Sequence, residues 1–203
     1  MAEKLSRREQ AKITRNLILD TSLELMREKP FKAIKIKDIC DRAHVTTGAF
    51  YHYFDSKEDI IVQLYIRIDQ EFTEYYTVLR GKDYREKIME YLKRHAMFAE
   101  KCGLESVRNV YREQLNMKND FFRDFSRGFI KYLLELVEKA VQCGEIVSDM
   151  AAQDIAVELM SIERGAIYTW CLTGGRISAK MMSVQMVTHY LQAMTKEKRI
   201  EFV

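Results

Sequence analysis

The chain has 203 residues, enough for one large domain or for a small domain joined to a medium one, and enough to bury a real core. With 47% hydrophobic and 31% charged residues, one Pro and eight Gly, it lacks the breaker density of an all-β fold and the polar bias of a disordered one, so a nearly all-α protein is expected. The net charge of +3 divides unevenly: through Lys57, 12 Lys and Arg face 8 Asp and Glu (+4), and from Glu58 onward 21 face 22 (−1), so the positive excess sits at the start, as a footprint for a polyanion or as an ordinary solvated face.

Ser6-Arg7-Arg8-Glu9 is a capping box, and Ile18, Ser22, Leu25 and Met26 recur at helical spacing, so the first helix is expected from about Arg7 to Glu28, before Pro30. Its first turns carry Arg7, Arg8, Lys12 and Arg15, which suit either a phosphate backbone or a solvated helix start. After a link at Phe31 to Lys35, the spacing of Ile36, Ile39, Cys40 and Ala43 predicts a short amphipathic helix over 36–43, with His44-Val45 as the turn. The stretch VTTGAFYHYFDSKED, Val45 to Asp59, follows. Thr46 and Thr47 suit an N-cap, Phe50 and Phe54 share an inner face, and Tyr51, His52 and Tyr53 lie around the other sides, with polar tips able to reach a phosphate. Ser56-Lys57-Glu58-Asp59 is a second capping box, from which a long helix is expected to run to about Leu79. Two short helices joined by a turn of three or four residues make a helix-turn-helix, a motif that places its second helix in the DNA major groove in the proteins that use it so, although such pairs are also common in other all-α proteins.

Residues 31–60, FKAIKIKDICDRAHVTTGAFYHYFDSKEDI, resemble the signature of the TetR-type (tetracycline-repressor-like) bacterial transcriptional regulators. The likeness is carried by Asp38-Ile39, Cys40, Ala43, Val45, Thr46, Gly48, Phe50-Tyr51, Phe54 and Ser56-Lys57-Glu58, and covers roughly residues 7–65. It implies an all-α fold with a helix-turn-helix DNA-binding domain at 1–57 and a helical ligand-binding and dimerisation domain at 58–203. It also implies phosphate contacts from Thr46, Tyr51 and Lys57, and base-edge approach by Thr47, Gly48 and Ala49, flanked by His52 and Tyr53. Lys37, in the first turn of the second helix, is counted with this DNA-facing set. Two positions depart from the family pattern. His44 stands where Gly is usual and is expected to need a positive φ, at about 1 kcal/mol. Lys35 stands where a capping Thr is usual, so that helix start relies on Asp38 and the helix dipole, or on a phosphate.

In the remainder, Gly81, Gly103, Gly144 and Gly174-Gly175 separate periodic segments, and helices are expected at about 83–101, 104–116, 120–143, 151–173 and 178–198. Its many rings and methionines serve chiefly as core. Among them Tyr91, Phe98, Tyr111, Phe122 and Tyr168 are the candidate walls of a pocket for an apolar or aromatic effector. Arg112, Glu113, Glu163 and Arg164 interrupt apolar patterns, as surface charges, an Arg–Glu pair or a polar anchor. The last two helices are apolar over more than one face. Leu159, Ile162, Ala166, Trp170, Val184, Val187 and Leu191 are the expected contacts of a homodimer, which the resemblance implies is a four-helix bundle; an intrachain pair is the alternative.

Cys40, Cys102, Cys143 and Cys171 are scattered singly and read as small buried thiols. His44, His52, His95 and His189 are far apart, and no ligand spacing, nucleophile motif or phosphate-binding loop occurs, so neither an enzyme nor a metal or cofactor site is expected. No apolar run approaches the roughly 18–20 residues of a membrane span, and 1–16 is charged, so a cytoplasmic protein is expected. The favoured reading is a ligand-responsive regulator, most often a repressor in this family, that binds a roughly palindromic operator as a homodimer and is released by a small molecule. The rival is a dimeric small-molecule-binding protein without gene-regulatory activity.

Overall fold

The computed structural model describes residues 6–116, 121 and 124–195. Nine α-helices and no strand occur among them: α1 (Arg7–Glu28), α2 (Ile36–Ala43), α3 (Thr47–Tyr53), α4 (Asp59–Val78), α5 (Tyr84–Cys102), α6 (Leu104–Asn116), α7 (Gly128–Gln142), α8 (Ala152–Leu172) and α9 (Ala179–Ala193). A 3-10 turn, Phe31–Ala33, joins α1 to α2. No helix among the described residues is long and apolar enough to cross a membrane.

Helix starts follow local chemistry. Ser6 accepts the Glu9 N–H while the Glu9 carboxylate takes the Ser6 N–H at 2.8 Å, the reciprocal box expected for α1. Ser56 Oγ accepts the Asp59 N–H at 3.1 Å, and Asp83 and Ser178 cap α5 and α9 in the same way. One expected helix starts later than its periodicity suggests. Of the span 120–143, residues 120, 122 and 123 lie outside the described residues, and 124–127 form a turn in which the Ser126 N–H donates to Asp124 Oδ1 at 2.8 Å. That local bond competes with the helix, which begins only at Gly128.

The chain packs as two units, Met1–Arg67 with Glu105–Phe122, and Ile68–Leu104 with Arg123–Val203. The first has a core of α1–α3, the 3-10 turn and the start of α4, centred on Ile18, Met26, Phe31, Ile39, Phe50, Phe54 and Ile61. It also includes α6, which lies far along the chain. The second is a helical bundle of α5, α7, α8 and α9 with the later part of α4, built on Phe72, Tyr91, Leu92, Phe129, Leu133, Ile155 and Leu159. There the Arg127 guanidinium grips Asp69 through Nε (2.8 Å) and Nη2 (3.2 Å), and Asp69 Oδ1 also accepts the Phe129 N–H at 3.1 Å. A Cβ at Gly128 would stand 2.7 Å from the Asp69 carbonyl oxygen, so only glycine lets α7 begin this close to α4.

Candidate nucleic-acid interface

Three short pieces of backbone set the first unit's outer surface. The Asp38 carboxylate holds α2 at its start: Oδ2 accepts the Lys35 N–H at 3.1 Å and the Lys29 ammonium at 2.6 Å, so the missing capping Thr is replaced as expected. The turn after α2 is closed by His44 in the left-handed region (φ 53°, ψ 42°), the conformation its position in the pattern demanded. Helix α3 then opens on Thr46, whose Oγ1 accepts the Ala49 N–H at 3.1 Å. This leaves the hydroxyl proton free to donate outward.

Phe50 and Phe54 are buried, with ring centroids 5.2 Å apart, and fix α3 to the core. The opposite surface carries Thr46, Thr47, Gly48, Tyr51 and His52, all exposed, with Ala49 and Tyr53 half-buried at its edge and Lys37 exposed on α2. Tyr51 packs edge-on against Phe50, and His52 edge-on against Tyr53, so both outward rings are propped from below. A Cβ at Gly48 would meet only Thr46 Oγ1, at 3.8 Å. Nothing inside the chain needs glycine there. Thr47 hydrogen-bonds the Cys40 thiol, which partly offsets the rise in thiol pKa that burial causes and ties α3 to α2.

Lys57 has a task inside the chain beside the one the resemblance implied. Its ammonium donates to the Phe31 and Ile34 carbonyls, both at 3.0 Å, with Lys32 O at 3.5 Å, and lies 4.7 Å from the centre of the Phe31 ring. The open carbonyls of a 3-10 turn and an aromatic face make a ready cation site. Lys57 therefore fastens the link before α2, and a phosphate has to compete with these bonds. Arg15 is likewise held, by Gln63 of α4.

The Lys29 ammonium, then the Lys35 N–H, keeps the Asp38 carboxyl below its ordinary pKa. Because the folded value is depressed, this support for α2 is complete above the unfolded value of about 3.9 and is lost as pH falls through the folded one. An amide-shift titration of Lys35 is expected to give a midpoint below about 3.9; a midpoint at or above it contradicts the capping role.

Four of the five candidate effector residues lie among the described residues. Tyr91 is wholly enclosed in the second unit, stacked with Phe129 and donating its hydroxyl proton to the Phe129 carbonyl at 3.2 Å, so it is a core residue. Phe98 is half-buried and Tyr168 exposed in the same unit, Tyr111 belongs to the first unit, and Phe122 lies outside the described residues. A surface hollow of about 560 Å³ between the end of α4 and the start of α5 is lined by other residues, among them Tyr75, Val78, Arg80 and Glu90. In the second unit Glu163, one of the charges that interrupt an apolar pattern, has a partner that sequence reasoning missed, His95. A hydrogen bond of 2.8 Å joins His95 Nδ1 on α5 to Glu163 Oε1 on α8, with the imidazole stacked 4.3 Å from the Phe129 ring. Glu163 is 0% exposed and its Oε2 has no hydrogen-bond partner. The signal was present: His95 continues the buried row Ile88, Tyr91, Leu92 of α5.

The expected dimer contacts are mostly packed inside their own chain. Leu159, Ala166, Trp170, Val187 and Leu191 are buried within their own chain and have little or no surface to offer a partner, while Ile162 and Val184 are half-buried. The apolar surface that the last two helices leave open consists instead of Val157, Tyr168 and Leu172 on α8, Ile177 after it, and Met181 and Met186 on α9.

This geometry defines an all-helical protein with an N-terminal helix-turn-helix domain and a helical C-terminal domain. Residues 18–64, which span the helix-turn-helix, match the family model described as bacterial regulatory proteins, tetR family. It is similar to the HTH-type transcriptional repressor KstR2 of Rhodococcus jostii (strain RHA1), at 21% identity over 89% of this chain and 90% of the relative. In fold it resembles the transcriptional regulator FadR from Bacillus subtilis in complex with stearoyl-CoA, with a TM-score of 0.70 and 18% identity over 89% of this chain and 97% of that one. Another similar structure is Thermus thermophilus FadR, a repressor in complex with lauroyl-CoA, with a TM-score of 0.69 and 18% identity over 92% and 97% of the two chains.

Proposed function

We propose that the protein is a ligand-responsive repressor that works in the cytoplasm as a homodimer and sets one α3 helix into each half of a roughly palindromic operator. The observation that carries this reading is the outer face of α3. Thr46, Thr47, Gly48, Tyr51 and His52 stand exposed on a helix whose other side is locked by Phe50 and Phe54. An exposed helical glycine costs about 1 kcal/mol relative to alanine, and at Gly48 no internal contact demands it. Close approach by an outside surface is a reason for it. In this reading Thr46 and Tyr51 bind phosphates, with Lys37 alongside them, and Thr47, Gly48 and Ala49 approach base edges, with His52 and Tyr53 at their flank.

The effector is small, apolar or aromatic, and binds in the C-terminal domain. The rings around the His95–Glu163 pair support an apolar wall with one polar anchor, since Glu163 Oε2 lacks a donor. Fatty acyl-CoAs are the first probes to try, because two similar structures contain them. Binding there shifts the protein to a conformer in which the paired α3 helices no longer match half-sites roughly 34–36 Å apart.

Selection of bound DNA from a random pool tests the reading. Tyr51→Phe is expected to weaken binding to every selected sequence alike, whereas Thr47→Val changes the preferred base at one or two positions, at about 1–3 kcal/mol each. A uniform loss in both variants removes Thr47 from base reading. If no DNA is retained at any sequence, the rival reading of a dimeric ligand-binding protein takes over.

A further inference from the structure

Two wholly buried residues of the second unit, Glu163 on α8 and Ser183 on α9, each keep a side-chain oxygen without a hydrogen-bond partner. Ser183 is the polar member of the row Ala179, Ser183, Val187 and Leu191 that α9 turns inward. Helical serines and threonines often return their proton to the carbonyl four residues back, as Ser22, Ser161 and Thr169 do in this chain at 2.7–2.9 Å. Ser183 Oγ makes no such bond, so its hydroxyl is left for a partner across the bundle.

Contacts between the helices place this hydroxyl at the level of the His95–Glu163 pair. Ser178 Oγ donates to Glu100 Oε1 at 2.7 Å and Thr188 Oγ1 to Met89 Sδ at 3.5 Å, so α9 runs antiparallel to α5. Ser183, midway between the two, is therefore level with Arg94 and His95. Arg94 is bonded to Glu71 on the exposed side, which leaves His95 as the inward member. Tyr190 donates to Glu158 at 2.6 Å, and seven residues nearer the hairpin Ser183 is level with Gly165. Glu163 is only about 3 Å from there along the helix axis. Three helices thus bring His95, Glu163 and Ser183 to one level, with the Phe129 and Phe72 rings 4.3 and 5.6 Å from the imidazole. Of the three, His95 keeps 15% of its side chain exposed, so this polar node lies just beneath the surface.

Glu163 Oε2 needs a donor, and Ser183 has a proton to give and lone pairs to fill. One neutral hydroxyl meets both needs, donating to the carboxylate and accepting from the serine. An anion is repelled by Glu163, a ketone or ester has no proton to offer, and an ammonium has no lone pair for Ser183. We propose that His95, Glu163 and Ser183 form a hydroxyl-binding subsite, and that the effector is a phenol or an alcohol whose apolar body packs among the neighbouring rings. This deepens the effector reading given above and rests on it. The 2.8 Å bond from His95 to Oε1 fixes the carboxylate and leaves Oε2 for the ligand.

Titrations of the full chain without DNA, with 2-naphthol, naphthalene and 2-naphthoate as probes, test this directly. 2-Naphthol is expected to bind at least about tenfold more tightly than naphthalene, because a site built for a hydroxyl leaves its own polar groups unpaired when the ligand lacks one. 2-Naphthoate should bind more weakly than either, and the His95 ring protons should shift with 2-naphthol. Ser183→Ala and Glu163→Met should each bring the affinity for 2-naphthol to within about threefold of that for naphthalene. Without ligand, Ser183→Ala should melt no lower than wild type, because this hydroxyl bonds nothing inside the chain. That variant carries the test if Glu163→Met does not fold. Equal wild-type affinities for 2-naphthol and naphthalene, no binding of 2-naphthol, or discrimination kept in Ser183→Ala each overturns the proposal. So does a Ser183→Ala variant that melts several degrees lower, as it would if the hydroxyl held a structural water. Stearoyl-CoA separates this proposal from the broader one. If it releases selected DNA equally from wild type and from Ser183→Ala, the regulator reading stands and the hydroxyl subsite falls. If 2-naphthol is discriminated as expected but never alters DNA binding, the subsite stands and its effector role fails.

Discussion

Asp69→Ala is expected to lower the stability of the C-terminal unit by about 3 kcal/mol, at the low end of what removing one member of a buried ion pair costs. Asp69 and Arg127 are 13% and 6% exposed in their side chains, so water replaces little of what is lost. The carboxylate serves three donors at once, Nε and Nη2 of Arg127 and the Phe129 N–H at the first turn of α7. Alanine removes all three acceptor contacts in a place where Gly128 has already brought the two backbones as close as they can come. For a chain of this size about 3 kcal/mol corresponds to a fall in Tm of roughly 6–12 °C. Asp69→Asn, which keeps one acceptor oxygen, should lie between, and Asp69→Leu with Arg127→Met should recover much of the loss because no buried charge remains. Thermal unfolding followed by circular dichroism checks the order of the three. If the single alanine variant melts within about 2 °C of wild type, a shift worth less than about 1 kcal/mol, the clamp does not hold α7 to α4.

What the sequence disclosed and what it hid divide along the distance over which each signal acts. The box at Ser6, the Ser56–Asp59 bond, the left-handed His44 and the role of Asp38 at α2 are all contacts within three or four residues, and each could be read directly. The register of α3, Phe50 and Phe54 inward with Thr47 and Tyr51 outward, followed from spacing alone. The internal bonds of Lys57 were hidden because the carbonyls it binds lie 23–26 residues back, in a turn whose shape no local pattern announces. His95 and Glu163 are 68 residues apart, and Asn109 and Phe31 are 78 apart; composition shows such polar residues on apolar faces without naming their partners. The start of α7 was hidden for a related reason. Phe121, Phe125 and Phe129 recur at helical spacing, but Asp124 and Ser126 form a local turn and Asp69 fixes where the helix begins. Periodicity also found both apolar faces of α8 without telling which one the chain covers itself.

That last ambiguity yields the second large effect. Leu172→Glu combined with Met181→Glu is expected to turn the proposed dimer into a monomer and to lower operator affinity by about a thousandfold, the interval between typical specific binding and the non-specific binding left to one half-site. Both side chains are open in the chain, at 65% and 64% exposure, so the charges cost little in the monomer, and its stability should change by no more than about 0.5 kcal/mol. In an isologous interface built on this apolar surface the same carboxylates, two from each copy, would be taken out of water with nothing to balance them. Leu159→Ala is the necessary contrast on the same helix. Leu159 is buried inside its own chain, so its truncation should cost about 2–5 kcal/mol in unfolding while leaving the dimer assembled below the melting point. Sedimentation velocity at micromolar concentration, read beside operator titrations, separates the two positions. A double variant that still sediments as a dimer moves the interface away from α8 and α9, whereas a monomer with undiminished operator affinity removes the need for two copies on the DNA.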